Sequence, residues 1–163
     1  MAVKIRRLDE ADRAALSTFM EQSYDEYPNA MWFDSKPQYR DLTRIFMNKL
    51  NGMQLNILED FVADDEGKIV GDCEIVKTGF NAGLVGIIIR KGYSGKGLGT
   101  DLLEAASKGA QGIGIERLRV EVMDENKPAQ KFFEACGFSV TGHERTERNG
   151  KACDVVVLEK ALT

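Results

Sequence analysis

The sequence predicts an α/β fold, a single-domain mixed and mostly antiparallel sheet flanked by helices. Three observations lead there. Apolar residues recur with period two in some segments and at helical spacing in others, in the order β-α-α-β-β-β-α-β-α-β-β. Two turn signals, Asp64-Asp65-Glu66-Gly67 and Asn149-Gly150, each join neighbouring strand-like segments into a hairpin. One β-branched run, Leu84 to Ile89, leads through a glycine-dense loop directly into a helix. A chain of 163 residues, without linker, repeat or low-complexity tract, has room for one core and is read as one domain, 1–163.

Val3 to Arg7 alternates apolar and basic residues, as a short first strand does. Asp9 or Asp12 can cap a helix through about Tyr24, with Ala15, Leu16, Phe19 and Met20 on one face. Tyr24 to Pro37 sets Tyr24, Tyr27, Trp32 and Phe33 among turn residues. Leu42, Ile45, Phe46, Met47 and Leu50 mark the apolar stripe of a second helix. Phe61-Val62-Ala63 and Lys68 to Val76 read as paired strands, and Asn81-Ala82-Gly83 punctuates before Leu84 to Ile89. Thr100 to about Gly109 is helix-like through Leu102, Leu103, Ala105 and Ala106. Arg117 to Val122 alternates Leu118, Val120 and Val122 with charged residues, a half-buried strand. Asn126 is the N-cap of a helix through Cys136, with Pro128 tolerated in its first turn and Gly137 as its stop. Phe138 to Thr146 and Ala152 to Glu159 are the arms of the last hairpin.

Composition narrows the function classes. With 43% apolar and 29% charged residues the chain is neither disordered nor fibrous. No apolar run approaches the ~20 residues of a membrane helix, so no membrane partner is expected. MAVKIRRLDEADR is charged from Lys4 onward and lacks an apolar signal core, which predicts a cytoplasmic protein. A net charge of -4 lacks the basic surplus of a nucleic-acid binder, and an acidic surface suits a cationic small molecule or basic peptide. Cys73, Cys136 and Cys153 lie in apolar-patterned segments and read as buried thiols. His143 is the sole histidine and there is no CxxC, so no metal site is expected.

The informative stretch is the strand and loop from Ile87 through Gly95 to Gly99. Glycines that open onto a helix expose backbone N–H groups at its positive end, a site for an anion such as pyrophosphate. A Walker A loop fails, because Arg90 stands where its first glycine belongs and Gly97 where Ser or Thr must follow Lys96. A dinucleotide fingerprint nearly fits at Gly95, Gly97 and Leu98, with Glu121 about twenty residues on. Thr100 occupies its last small position, however, and too little chain follows to complete a doubly wound sheet.

This segment resembles the central motif of the GNAT-type acyl-CoA N-acyltransferases, in which a (Gln/Arg)-x-x-Gly-x-(Gly/Ala) loop cradles the pyrophosphate of CoA. Gly97 and Gly99 match the small positions, while Ser94 stands where the family has Arg or Gln. Asn126-x-x-Ala129-x-x-x-Phe133-x-x-x-Gly137-Phe138 is similar to the family's Asn-x-x-Ala-x-x-x-Tyr-x-x-x-Gly-Phe helix. The likeness spans roughly Lys4 to Leu162 and is most specific from Ile87 to Phe138.

The resemblance implies a GNAT-like sheet in which two parallel strands, Leu84 to Ile89 and Arg117 to Val122, splay apart. It implies transfer of the acetyl group of acetyl-CoA to a primary amine, carried by a small molecule or peptide. Backbone groups of Ile87, Ile88 and Ile89 would receive the pantetheine, with the Ile89 N–H facing the thioester carbonyl. Ser94, Gly95, Lys96, Gly97, Leu98, Gly99 and Thr100 would hold the phosphates, and Asn126 and Phe133 would border the cofactor. Two departures stand out. The family's strand carboxylate is missing from Leu84-Val85-Gly86, leaving Asp72, Glu74 or Glu121 as replacements, with Glu74 preferred. Phe133 replaces the tyrosine that protonates the leaving thiolate, and Tyr93 or a water is the substitute. Tyr24, Tyr27, Trp32 and Phe33 would line the acceptor pocket. A homodimer is compatible with this reading. So is a CoA-binding regulatory module that kept the cofactor site and lost the chemistry.

Overall fold

The computed structural model describes residues 2–28, 38–148 and 150–163. The chain runs β1 (Val3–Arg7), α1 (Arg13–Glu26), α2 (Tyr39–Gln54), β2 (Leu58–Asp65), β3 (Lys68–Lys77), β4 (Ala82–Ile89), α3 (Leu98–Gly112), β5 (Arg117–Met123), α4 (Lys127–Ala135), β6 (Ser139–Arg148) and β7 (Lys151–Ala161). The seven strands form one sheet in the order β1-β2-β3-β4-β5-β7-β6. Every pairing is antiparallel except β4 with β5. The mixed, mostly antiparallel sheet and its flanking helices are those the period changes predict.

Local chemistry explains the boundaries. Of the two candidate caps, Asp9 caps the turn that precedes α1, and Asp12, at the N-cap position of α1, makes no side-chain cap bond to that helix. Asp9 Oδ1 accepts from the Ala11 N–H at 2.8 Å, opening a short 3-10 turn ahead of the helix. Asp12 accepts from the Asp9 N–H and from two nitrogens of Arg6, each at 2.8 Å, which ties the helix start to β1. At the β2–β3 turn Glu66 and Gly67 have φ of 52° and 92°, the paired positive values of a tight hairpin. Asp64 Oδ1 accepts from the Gly67 N–H at 2.7 Å. Asn126 Oδ1 accepts from the Ala129 N–H at 3.2 Å, as an N-cap does, and Gly137 at φ 95° ends the α4 segment. Asn149, Trp32 and Phe33 lie outside the described residues.

The sheet carries a core on each face. On one, Leu102, Leu103, Ala106 and Ala110 of α3 and Phe133 of α4 pack on Cys73, Ile75, Val85, Leu118, Val120 and Val122. On the other, Leu16, Phe19 and Met20 of α1 and Leu42, Phe46 and Met53 of α2 cover Leu58, Val62, Ile69 and Ile88. Cys73 is buried, whereas Cys136 and Cys153 are only half-buried, since each stands at a rim rather than within a core. No helix among the described residues is long and apolar enough to cross a membrane.

Strand β4 leaves β5 early. The two pair only from Ala82–Leu84 against Arg117–Arg119. Beyond that point β4 stays with β3 to Gly71↔Ile89, while β5 stays with β7 to Met123↔Val155. The interval between Val85–Ile89 and Val120–Met123 is therefore a wedge.

Leu102 is fully buried where α3 meets the sheet. Leu102→Ala is expected to cost about 2–5 kcal/mol through the lost contacts and the cavity left behind, read from urea unfolding.

Candidate active site

The hydrogen-bond phase of β4 decides what faces the wedge. At one end of its ladder with β3 the Thr78 N–H donates to Ala82 O, and at the other the Arg90 N–H donates to Val70 O, both at 2.9 Å. Antiparallel alternation then commits the backbone groups of Leu84, Gly86 and Ile88 to β3 and turns those of Ile87 and Ile89 toward the departing β5. The Ile89 carbonyl accepts the Tyr27 hydroxyl at 3.0 Å. Ile88 departs from its expected backbone role. Its peptide groups belong to β3 and its side chain is buried among α1 and α2 residues, so it meets the wedge only as apolar wall.

A cavity of about 550 Å3 occupies the wedge. Met20, Ile45, Asn48 and Lys49 reach it from α1 and α2, and Val122, Asn126, Ala129 and Phe133 from β5 and α4. Glu74 and Glu121 stand in its walls. Each is ion-paired. Glu121 accepts from Arg119 at 3.1 Å, and Glu74 accepts from Lys49 at 3.1 Å. Glu74 lies directly across the ladder from Gly86, which places it beside the stretch of β4 where the family's carboxylate is missing. Phe133 is 4% exposed and stacks edge-on against Phe132 and Phe138, at 5.0 and 5.3 Å between ring centres.

Behind Glu74 is a buried charge cluster that sequence reasoning missed. Lys49 Nζ donates to Asp60 Oδ2 at 2.6 Å, Asp72 Oδ2 at 3.2 Å and Glu74 Oε1. Lys49, Asp60 and Asp72 are all buried, and Asp72, one of the candidate replacement carboxylates, does not reach the cavity. Burial opposes the Lys49 charge, but the surrounding carboxylates outweigh it and hold the ammonium well above its ordinary range. Burial, with the Asp72 charge beside it, pushes Asp60 well above the usual carboxylate range. One sequence signal existed: Lys49 interrupts the apolar stripe of α2 between Phe46 and Met53.

The glycine loop closes one end of β4. Gly95 and Gly97 have φ of 75° and 79°, and a Cβ at either would meet nothing within 4 Å. Both therefore serve backbone conformation beside open space. Gly97 is the N-cap residue of α3, whose first N–H groups have no partner within the helix. Gly99 has another role, because a Cβ there would stand 3.1 Å from the Phe132 ring. It lets α3 approach α4. Lys96 and Thr100 are exposed, and the Ser94 hydroxyl donates to Lys91 O at 2.9 Å. Leu98 is buried and anchors the helix start. Tyr93 is not among the residues around the cavity. Its hydroxyl donates to Asp65 at 2.5 Å, and that bond raises the phenol, which makes it a poorer acid. Among the described residues no group of acidic, histidine or cysteine side chains has the makings of a metal site.

The family model described as the Acetyltransferase (GNAT) family matches residues 16–138. YwnH of Bacillus subtilis (strain 168), provisionally named a phosphinothricin acetyltransferase, is 36% identical over 81 residues. That match covers 48% of this chain and spans about half, 50%, of the relative's length. The GNAT-family acetyltransferase of Streptococcus pneumoniae superposes with a TM-score of 0.82 at 24% identity, over 99% of both chains. YncA of Salmonella typhimurium, solved with its cofactor acetyl-CoA, gives 0.82 at 20% identity, over 100% of this chain and 95% of its own. The ribosomal-protein-S5-alanine acetyltransferase of Vibrio fischeri gives 0.84 at 18%, over 99% and 93%. These structural likenesses are likenesses of fold. The family model, however, runs from within α1 through the glycine loop and past the end of α4, and the chain belongs to the Acetyltransferase (GNAT) family.

Proposed function

We propose that this chain, as one domain over 1–163, transfers the acetyl group of acetyl-CoA to a primary amine by direct attack. The observation that carries the proposal is the wedge. It frees the β4 edge that carries the backbone groups of Ile87 and Ile89, beside a cavity that Ile87 lines and that has Glu74 and Glu121 in its walls, with the glycine loop beyond the end of the strand. The residues fit the donor: the open space over Gly95 and Gly97 admits phosphates against the first N–H groups of α3, with the Lys96 ammonium nearby. Acetyl-CoA supplies the activated acyl group.

Peptide groups of Ile87 and Ile89 pair with the pantetheine amides as an added strand. The Ile89 N–H takes the developing negative charge on the thioester oxygen. Glu74, directly or through one water, removes a proton from the attacking ammonium, whose ordinary pKa of ~10.4 leaves little neutral amine at pH 7. The nitrogen then bonds to the carbonyl carbon, the carbon–sulfur bond breaks, and the second excess proton on the nitrogen passes to water. The thiolate leaves without a dedicated acid, because Phe133 has no proton to give and Tyr93 is engaged with Asp65. A thiol of pKa ~8.5 departs adequately on its own. Met20, Ile45 and Asn48 border the acceptor side, with Tyr27 fixed at the β4 edge. The amine acceptor fits a cytoplasmic small molecule or peptide.

Acetyl-CoA at ~100 times its dissociation constant should add about 2.7 kcal/mol of stability, visible as a rise in Tm. Gly97→Ala should weaken that binding tenfold or more by calorimetry, since φ near 79° strains any side chain, while circular dichroism stays unchanged. Thiol release against an amine panel separates the enzyme from a CoA-binding module, which would bind acetyl-CoA without amine-stimulated release.

Glu74→Gln should lower kcat by about 10²–10⁴, the usual worth of a general base, with acetyl-CoA affinity retained. Glu121→Gln should change kcat less than fivefold. The reverse ranking in steady-state assays would move the base to β5.

Phe133→Tyr should alter kcat less than threefold. Its hydroxyl enters an aromatic nest without a partner and should cost about 1–3 kcal/mol of stability. A tenfold gain confined to pH above 8 would instead show that proton donation limits the reaction.

A further inference from the structure

We propose that Lys49 is a positioning residue that acts through Glu74, its ammonium fixing that carboxylate in the cavity wall as the base. The inference rests on the acetyl-transfer reading and adds a group that the reading does not use. Four charged groups meet behind the wedge. Lys49 comes from α2, Asp60 from β2, and Asp72 and Glu74 from β3. Across the cavity, β5 brings Glu121, which is tied to Arg119.

The arrangement of oxygens separates the roles. Asp60 and Asp72 each present one oxygen to Lys49, and their other Oδ1 atoms are buried without a hydrogen-bond partner. Two buried carboxylates against one ammonium leave an excess of negative charge, and burial beside the Asp72 charge pushes Asp60 well above the usual carboxylate range, which favours a proton on Asp60. With that proton in place, the pair balances less of the Lys49 charge than two ionised carboxylates would. The remainder is directed at Glu74, which at 27% exposure is the one acid of the cluster that reaches the cavity. A buried ammonium on a packed helix is also a rigid anchor. It holds Glu74 opposite Gly86, where no side chain intervenes between the carboxylate and the wedge.

The test is a double-mutant cycle with Lys49→Gln and Glu74→Gln, assayed with acetyl-CoA and the best amine of the panel. Alone, Lys49→Gln should lower kcat at least tenfold with KM for the amine within twofold. It should also move the acidic limb of the kcat–pH profile to higher pH, because a nearby cation favours the carboxylate. In the Glu74→Gln background the same change should alter kcat less than twofold. Equal losses in both backgrounds, or an unmoved acidic limb, would overturn the proposal. If Lys49→Gln does not fold, Lys49→Gln/Asp60→Asn, which replaces the ammonium and the acid nearest to it by two amides able to pair, serves in its place.

A second measurement needs no turnover. Carboxyl ¹³C NMR of the free protein should show the Glu74 resonance titrating at higher pH in the variant than in the wild type. An unchanged titration would sink the positioning role even if amine acetylation is observed. A wild type that acetylates nothing would sink the acetyl-transfer reading and leave this result to stand or fall alone.

Discussion

The candidate site depends on a competition for one strand edge. β5 can satisfy its backbone groups on β4 or follow its own course beside β7, and after Arg119 it keeps only β7. The three-residue parallel contact is short against the seven-residue ladder from Arg117↔Ala161 to Met123↔Val155. Close packing marks where the contact is made. A Cβ at Gly83 would stand 2.8 Å from Ile75 and 3.1 Å from Ile115, so packing is close immediately before the sheet opens. Side chains of β4 then divide, with Val85 in the α3–α4 core and Ile88 in the α1–α2 core. The strand stays anchored by both faces while its free edge looks into the wedge.

The second constraint is the charge buried under α2. An apolar residue at position 49 would suit the stripe formed by Leu42, Phe46 and Met53, and a buried lysine needs partners to be tolerated. Asp60 and Asp72 provide them from neighbouring strands, which locks α2 to the sheet at one register. Such a cluster is a poor way to gain stability, because desolvation offsets much of the attraction. It fixes geometry instead, and the geometry it fixes includes Glu74.

Elements were legible in the sequence because each is decided locally. Periodicity located every helix and strand in order, and Asp9, Asn126 and Gly137 marked ends through hydrogen bonds within a few residues. The glycine loop was legible too, though not its division of labour. Gly95 and Gly97 serve backbone conformation beside open space, whereas Gly99 serves a contact with Phe132, 33 residues away. What stayed hidden depends on partners distant in the chain. Asp72 and Glu74 alternate with apolar residues as solvated acids do, and only the approach of Lys49 from α2 distinguishes them. Tyr93 looked available beside the loop because its acceptor, Asp65, lies 28 residues earlier.

On the proposed reading, donor and acceptor make opposite electrostatic demands, and the two ends of the cleft meet them separately. A pyrophosphate needs positive potential. Beyond Ile89 it finds the start of α3, with Lys91 and Lys96 exposed nearby. An ammonium needs the reverse, and Glu74 and Glu121 lie in the cavity walls, with the Lys49 charge behind them already engaged by three carboxylates. Had Lys49 stood unpaired, it would have repelled a cationic acceptor at the point where the amine must lose its proton. Surrounded as it is, it orients the base while the cluster as a whole stays negative. On that reading, the separation is what would let one acidic chain receive an anionic donor at the glycine loop and a cationic acceptor at the cavity.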